Sequence, residues 1–137
     1  METEFVTDGD GLVQGKGLVL VVDDEPIMRK IAVKVLESSG YQTLSAEGGE
    51  KALSIFKERY QEIELVLLDL LMPFICGKET FFAMKAIKPD VRVLLVTGAV
   101  QDERIKDLLN SGVLGMVEKP YSFEFLSGKI YETIHSS

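Results

Sequence analysis

Five short apolar runs recur along the chain, each followed by a stretch with helical patterning. The first, Leu18-Val19-Leu20-Val21-Val22, is continuous and rich in β-branched residues, as expected of a strand buried on both faces of a parallel sheet. Pro26 stands where a helix starts, and Ile27, Met28, Ile31, Ala32, Val35 and Leu36 then repeat with helical period as far as Ser38-Ser39-Gly40. Tyr41 to Ala46 reads as a weaker, more polar strand suited to a sheet edge. Gly48-Gly49 leads into a helix with Ala52, Leu53, Phe56 and Tyr60 on one face. Leu65 to Leu68 then runs straight into Asp69. Pro73 cannot extend a central strand, so Asp69 falls at the strand's carboxyl end. A loop over Phe74-Ile75-Cys76-Gly77 precedes a helix carrying Phe81, Met84 and Ile87, broken at Lys88-Pro89-Asp90. Val91 to Val96 is a fourth strand ending in Thr97-Gly98-Ala99, followed by a short helix with Ile105, Leu108 and Leu109. Val113 to Val117 is a fifth strand ending in Glu118-Lys119-Pro120, and the last helix carries Phe123, Leu126, Ile130 and Ile134.

Strands thus begin near residues 18, 41, 65, 91 and 113, with one helix in each interval. Strands separated by helices cannot form hairpins and pair in parallel through crossovers. The pattern predicts an α/β fold, a five-stranded doubly wound parallel sheet with helices on both faces. Residues 1–16 are polar, acidic and glycine-rich and read as a flexible leader or linker, leaving 17–137 as the domain.

Ligands of open α/β sheets bind at the carboxyl ends of the strands. Here that edge carries Asp23, Asp24, Asp69, Thr97 and Lys119. Taken singly each has a plain explanation: a helix-start acid pair, a loop-entry aspartate, a β-forming threonine, a surface lysine. Together they make a reactive set. Three clustered carboxylates repel one another, and a hard cation such as Mg²⁺ removes the conflict. A central aspartate can then act as a carboxylate nucleophile toward a phosphoryl group. The Thr97 hydroxyl and the Lys119 ammonium each match a phosphoryl oxygen.

Composition narrows the setting. The 137 residues suffice for one domain with a proper core, and 46% hydrophobic with 27% charged content is ordinary for a globular chain. A net charge of -7 argues against direct nucleic-acid binding, which needs clustered Lys and Arg. No apolar run reaches transmembrane length and no signal pattern opens the chain, so membrane insertion is not expected. The single cysteine, Cys76, allows no internal disulfide, and a cytoplasmic location is expected. His135, the only histidine, lies near the end of the last helix and reads as a surface residue. Arg29, Lys30 and Lys34 read as one solvated helix face.

The ordered set VLVVDDEP, LVLLDLLMP, LLVTG and VEKPY resembles the receiver domain of two-component response regulators over residues 18 to about 135. The resemblance implies the flavodoxin-like (βα)5 fold with strand order 2-1-3-4-5. It also implies Asp69 as phosphoacceptor, Asp24 and Asp69 as direct Mg²⁺ ligands, Asp23 acting through water, and the Leu71 carbonyl as a further ligand. By the same resemblance Lys119 and Thr97 would hold the phosphoryl oxygens, and the Lys119-Pro120 bond would be cis. On that reading the phosphoryl group would arrive in trans, from a histidine kinase, a histidine phosphotransfer protein or a small phosphodonor. Met28, Ile31 and Pro120 are the implied docking residues for that partner. The domain is either a stand-alone switch or the receiver of a hybrid sensor histidine kinase, and only in the latter would the whole chain be a kinase.

Two positions depart from the family pattern. Met116 stands where the switch aromatic is usual, beside Thr97 in the switching role. Leu71 and Ala99 are apolar where the family borders the phosphoryl group, which implies slow self-dephosphorylation. An Asp-nucleophile phosphatase of the dehalogenase type is the alternative; it carries an Asp-x-Asp pattern after its first strand, where this chain has adjacent Asp23-Asp24.

Overall fold

The computed structural model describes residues 14–73 and 75–135. They form β1 Leu18–Val22, α1 Pro26–Ser38, β2 Gln42–Ala46, α2 Gly49–Arg59, β3 Ile63–Asp69, α3 Gly77–Ile87, β4 Val93–Thr97, α4 Glu103–Asn110, β5 Gly115–Glu118 and α5 Phe123–His135. The strands pair in parallel in the order β2-β1-β3-β4-β5, as the resemblance implies.

Alternation along each strand divides the core in two. Leu18, Leu20, Val22, Val66, Leu68, Val93 and Leu95 face one side, where Phe56, Phe81, Met84, Ile105 and Leu108 from α2, α3 and α4 cover them. Val19, Val21, Leu65, Leu67, Leu94, Val96 and Val117 face the other, against Ala32, Val35 and Leu36 of α1 and Leu126, Ile130 and Ile134 of α5. A strand buried on both sides has no polar face. That is why β1, β3 and β4 appear in the sequence as unbroken apolar runs. β2 lies at the edge, and its Gln42 and Ser45 are exposed.

Several boundaries differ from the sequence expectation, each for a hydrogen-bonding reason. β3 starts at Ile63, which pairs with Leu18. The exposed Glu64 between Ile63 and Leu65 interrupts the apolar run and hides this start. β4 starts at Val93 because Val91 N donates to Lys88 O in the preceding turn. β5 starts at Gly115 because Val113 N donates to Leu108 O and closes the end of α4. Tyr41 N likewise donates to Leu36 O, so β2 begins at Gln42.

The helical period places Ile27, Leu109 and Phe123 on buried stripes, but all three are exposed, Ile27 by 73%. Each sits at or near a helix end. Of the leader expected over 1–16, residues 1–13 lie outside the described residues. Gly15 N donates to Ser39 O at 2.7 Å. No helix among the described residues is long and apolar enough to cross a membrane.

Candidate functional site

β1 and β3 are adjacent, so Asp23, just past the end of β1, and Asp69, the last residue of β3, emerge side by side. Both are nearly closed to solvent, at 6% and 4% exposure, and Asp24 is half-buried. One carboxylate oxygen from each of the three lies within 4.8 Å of the others. β4 and β5 bring the remaining groups: Thr97 pairs with Glu118 across the sheet, and Lys119 N donates to Thr97 O at 2.9 Å. The Lys119-Pro120 peptide is cis.

The Lys119 ammonium stands among the acids, 3.0 Å from Asp23 Oδ2 and 3.5 Å from Asp69 Oδ2. It also lies 3.0 Å from Glu25 Oε1. Burial works to lower its pKa, but hydrogen bonds to Glu25 and Asp23 and the charge of Asp69 outweigh burial and raise it above the ordinary value. Lys119 therefore carries a fixed positive charge. Asp69 shows the opposite balance. Burial pushes its carboxyl up from 3.8 to about 7, with Asp23 and Asp24 acting in the same direction and Lys119 and the Leu71 N–H against them. The site holds more negative charge than one lysine neutralises.

Main-chain contacts fix the acceptor. Leu71 N donates to Asp69 Oδ1 at 3.3 Å and Leu70 N to Val96 O at 3.1 Å. Gly77 N returns to Leu70 O at 2.9 Å. That return is so close that a Cβ on Gly77 would stand 2.6 Å from Asp69 O, so only glycine lets α3 start here. At β4, Ala99 N donates to Thr97 Oγ1 at 2.9 Å, which orients the hydroxyl oxygen and leaves its proton to donate.

The expected groups at the strand ends thus meet at one place. Leu71, two residues past Asp69, is 46% exposed, and Ala99 is half-buried. Met116 lies farther back, half-buried against the core on the α2, α3 and α4 side. Met28 and Ile31 are half-buried on α1, and Pro120 is exposed. His135 is exposed at the end of α5, stacked on Tyr131 at 4.0 Å between ring centroids. Two residues enter the site's surroundings that their charged character alone did not indicate. Glu25 reaches Lys119, and Arg29, expected on a solvated face with Lys30 and Lys34, instead donates from Nη1 to Asp23 O at 2.7 Å. Carboxylate and guanidinium groups near a helix start look solvated in a linear reading.

The family model for the response regulator receiver domain matches residues 19–131. The chain belongs to this family. Among curated relatives, the sensor kinase CckA of Brucella abortus is 30% identical over 122 residues, covering 89% of this chain and 13% of that protein. The sporulation initiation phosphotransferase F of Bacillus subtilis is 35% identical over 107 residues, covering 77% of this chain and 84% of that one. A receiver domain structure from Clostridium thermocellum superposes with a TM-score of 0.80 at 28% identity, covering 86% of this chain and 94% of that chain. The chain spans only 13%, 31% and 12% of the first three curated relatives it matches. It is a receiver domain of two-component signalling, and the acid cluster described above lies within the matched span.

Proposed function

We propose that this receiver accepts a phosphoryl group on the Asp69 carboxylate and relays that event to a protein partner. The observation that carries the reading is the enclosure of Asp69 by two further carboxylates within 4.8 Å and by the Lys119 ammonium at 3.5 Å. The donor set is entirely oxygen, in excess negative charge, and at a spacing suited to one small hard cation, so it fits Mg²⁺. Asp24 and Asp69 would hold the ion directly, Asp23 through water, and the Leu71 carbonyl would complete the protein ligands. Bound there, Mg²⁺ supplies charge neutralisation at the phosphoryl oxygens.

The chain's own residues do the rest. An Asp69 oxygen forms the new O–P bond as the donor's P–N bond breaks, and the leaving nitrogen takes up a proton. Leu71 N–H holds the other carboxylate oxygen at 3.3 Å and so fixes the rotamer of the nucleophile. The Lys119 ammonium, already 3.5 Å from Asp69, donates to one phosphoryl oxygen, and the Thr97 O–H donates to another. Leu71, two residues past the acceptor and exposed, cannot hydrogen-bond a hydrolytic water, which favours a long-lived acyl phosphate. Met116 fills the switch position with a flexible thioether, without a ring or hydroxyl.

The donor is a phosphohistidine outside this domain, on a histidine kinase or a histidine phosphotransfer protein; His135 stands exposed at the end of the last helix. The docking surface is the start of α1, where Met28 and Ile31 are half-buried and Ile27 is exposed, together with the exposed Pro120. The setting is the cytoplasm, and the domain acts alone or as the receiver of a hybrid sensor kinase. Incubation with phosphoramidate tests the reading. One phosphoryl group should appear in the intact mass with Mg²⁺, and none with EDTA or in Asp69→Asn. Equal incorporation in Asp69→Asn would overturn it.

A further inference from the structure

We propose that Glu25 is a positioning residue that competes with the incoming phosphoryl group for Lys119, and so sets how readily the phosphorylated state forms. The inference rests on the reading of Asp69 as phosphoacceptor.

Glu25 occupies the N-cap position of α1, yet its side chain makes no hydrogen bond to the helix it precedes. Its backbone is fixed at both ends: its N–H donates to Asp23 Oδ1 at 2.9 Å, and its carbonyl accepts from Arg29 N at 2.9 Å. From that anchored position the carboxylate crosses to the β5–α5 turn and meets Lys119 Nζ at 3.0 Å. An ammonium has three protons to donate and no acceptor. Here three carboxylates surround it, Asp23 and Glu25 at 3.0 Å and Asp69 at 3.5 Å, so every donor is committed.

A phosphoryl oxygen on Asp69 needs one of these protons, and the two shorter contacts differ in what they lose by giving way. The side chain of Asp23 is 8% exposed and would be left without solvent. The side chain of Glu25 is 59% exposed and returns to water by a rotation of its own bonds. Glu25 is therefore the exchangeable partner. In the resting protein it draws the ammonium toward the rim and away from Asp69, the longest of the three contacts. Ion pairs at this exposure amount, at their upper end, to roughly three- to fivefold in an equilibrium constant.

The test is the affinity for beryllofluoride, a non-covalent phosphoryl mimic, at saturating Mg²⁺. It is followed by amide NMR of wild type, Glu25→Ala and Glu25→Asp. Aspartate keeps the charge but is shorter by about 1.5 Å, one carbon–carbon bond, and cannot hold the 3.0 Å contact. Both variants should bind roughly three- to fivefold more tightly than wild type. Tighter binding is an outcome that a merely structural defect does not produce. Tightening in Glu25→Ala with none in Glu25→Asp would assign the effect to charge alone and overturn the proposal, as would unchanged or weaker binding in both. A wild type that binds no beryllofluoride would instead remove the reading of Asp69 on which the inference stands.

Discussion

Replacing Asp69 by asparagine should stabilise the metal-free protein at pH 8. In the folded chain burial raises the Asp69 carboxyl from 3.8 to about 7. As pH rises from about 4 to about 7 the unfolded chain ionises this group while the folded chain still holds its proton. Folding then works against ionisation, and stability falls across that window, levelling off above it. At about 1.36 kcal/mol per pH decade, the interval corresponds to about 4 kcal/mol. Asparagine is an isosteric neutral replacement that can still accept the Leu71 N–H through Oδ1 and donate to a neighbouring carboxylate. Lys119 loses only its longest contact and keeps Asp23 and Glu25 at 3.0 Å. Allowing half the gross figure for that loss and for relaxation leaves about 2 kcal/mol, or a rise in Tm of roughly 6 °C for a domain of this size. The assay is thermal unfolding by circular dichroism in EDTA at several pH values. The gap between variant and wild type should be small near pH 4, grow to pH 7 and stay constant beyond. Equal melting temperatures at pH 8, or a gap independent of pH, would refute the electrostatic account of the site.

Leu71→Asn should shorten the lifetime of the acyl phosphate, by up to about 10²-fold if water positioning is limiting; decay at the wild-type rate or slower, measured after donor removal with Mg²⁺ present, would remove Leu71 as the gate. Met28→Lys should slow phosphotransfer from the cognate donor protein while leaving loading by phosphoramidate unchanged, and unaltered transfer would place the docking surface elsewhere. Gly77→Ala should cost about 1–3 kcal/mol and slow phosphorylation, because the added Cβ would lie 2.6 Å from Asp69 O. Gly128→Ala, in α5 with nothing within 4 Å of the added Cβ, should instead gain up to about 1 kcal/mol in denaturant titrations.

The parts of the molecule legible in the sequence are those where burial leaves a one-dimensional trace. β1, β3 and β4 have no solvated face, so their apolar runs announce both the strands and the parallel sheet. Asp69 is readable because a charged residue that ends such a run must lie at the sheet's edge, and Lys119 because it follows the fifth strand at that same edge. Less legible were features decided by a single hydrogen bond, such as the start of β5, where Val113 N closes α4 instead of extending the strand. Ile27 shares the helical period of the core residues but stands exposed in the first turn of α1, and no pattern in the chain marks it as different. Glu25 escaped a linear reading most completely. Its partner lies 94 residues away, and a glutamate before a proline-led helix gives no sign of reaching that far.

If the Asp69 carboxylate is the acceptor of the phosphoryl group, its product can be trapped in place. Borohydride reduces an acyl phosphate to the corresponding alcohol, which converts a phosphorylated aspartate to homoserine. Protein loaded with phosphoramidate and Mg²⁺, reduced, digested and sequenced by mass spectrometry should carry homoserine at position 69 and aspartate at positions 23 and 24. Homoserine at Asp23 or Asp24, or no reduction anywhere in a protein that had gained phosphate, would contradict the account.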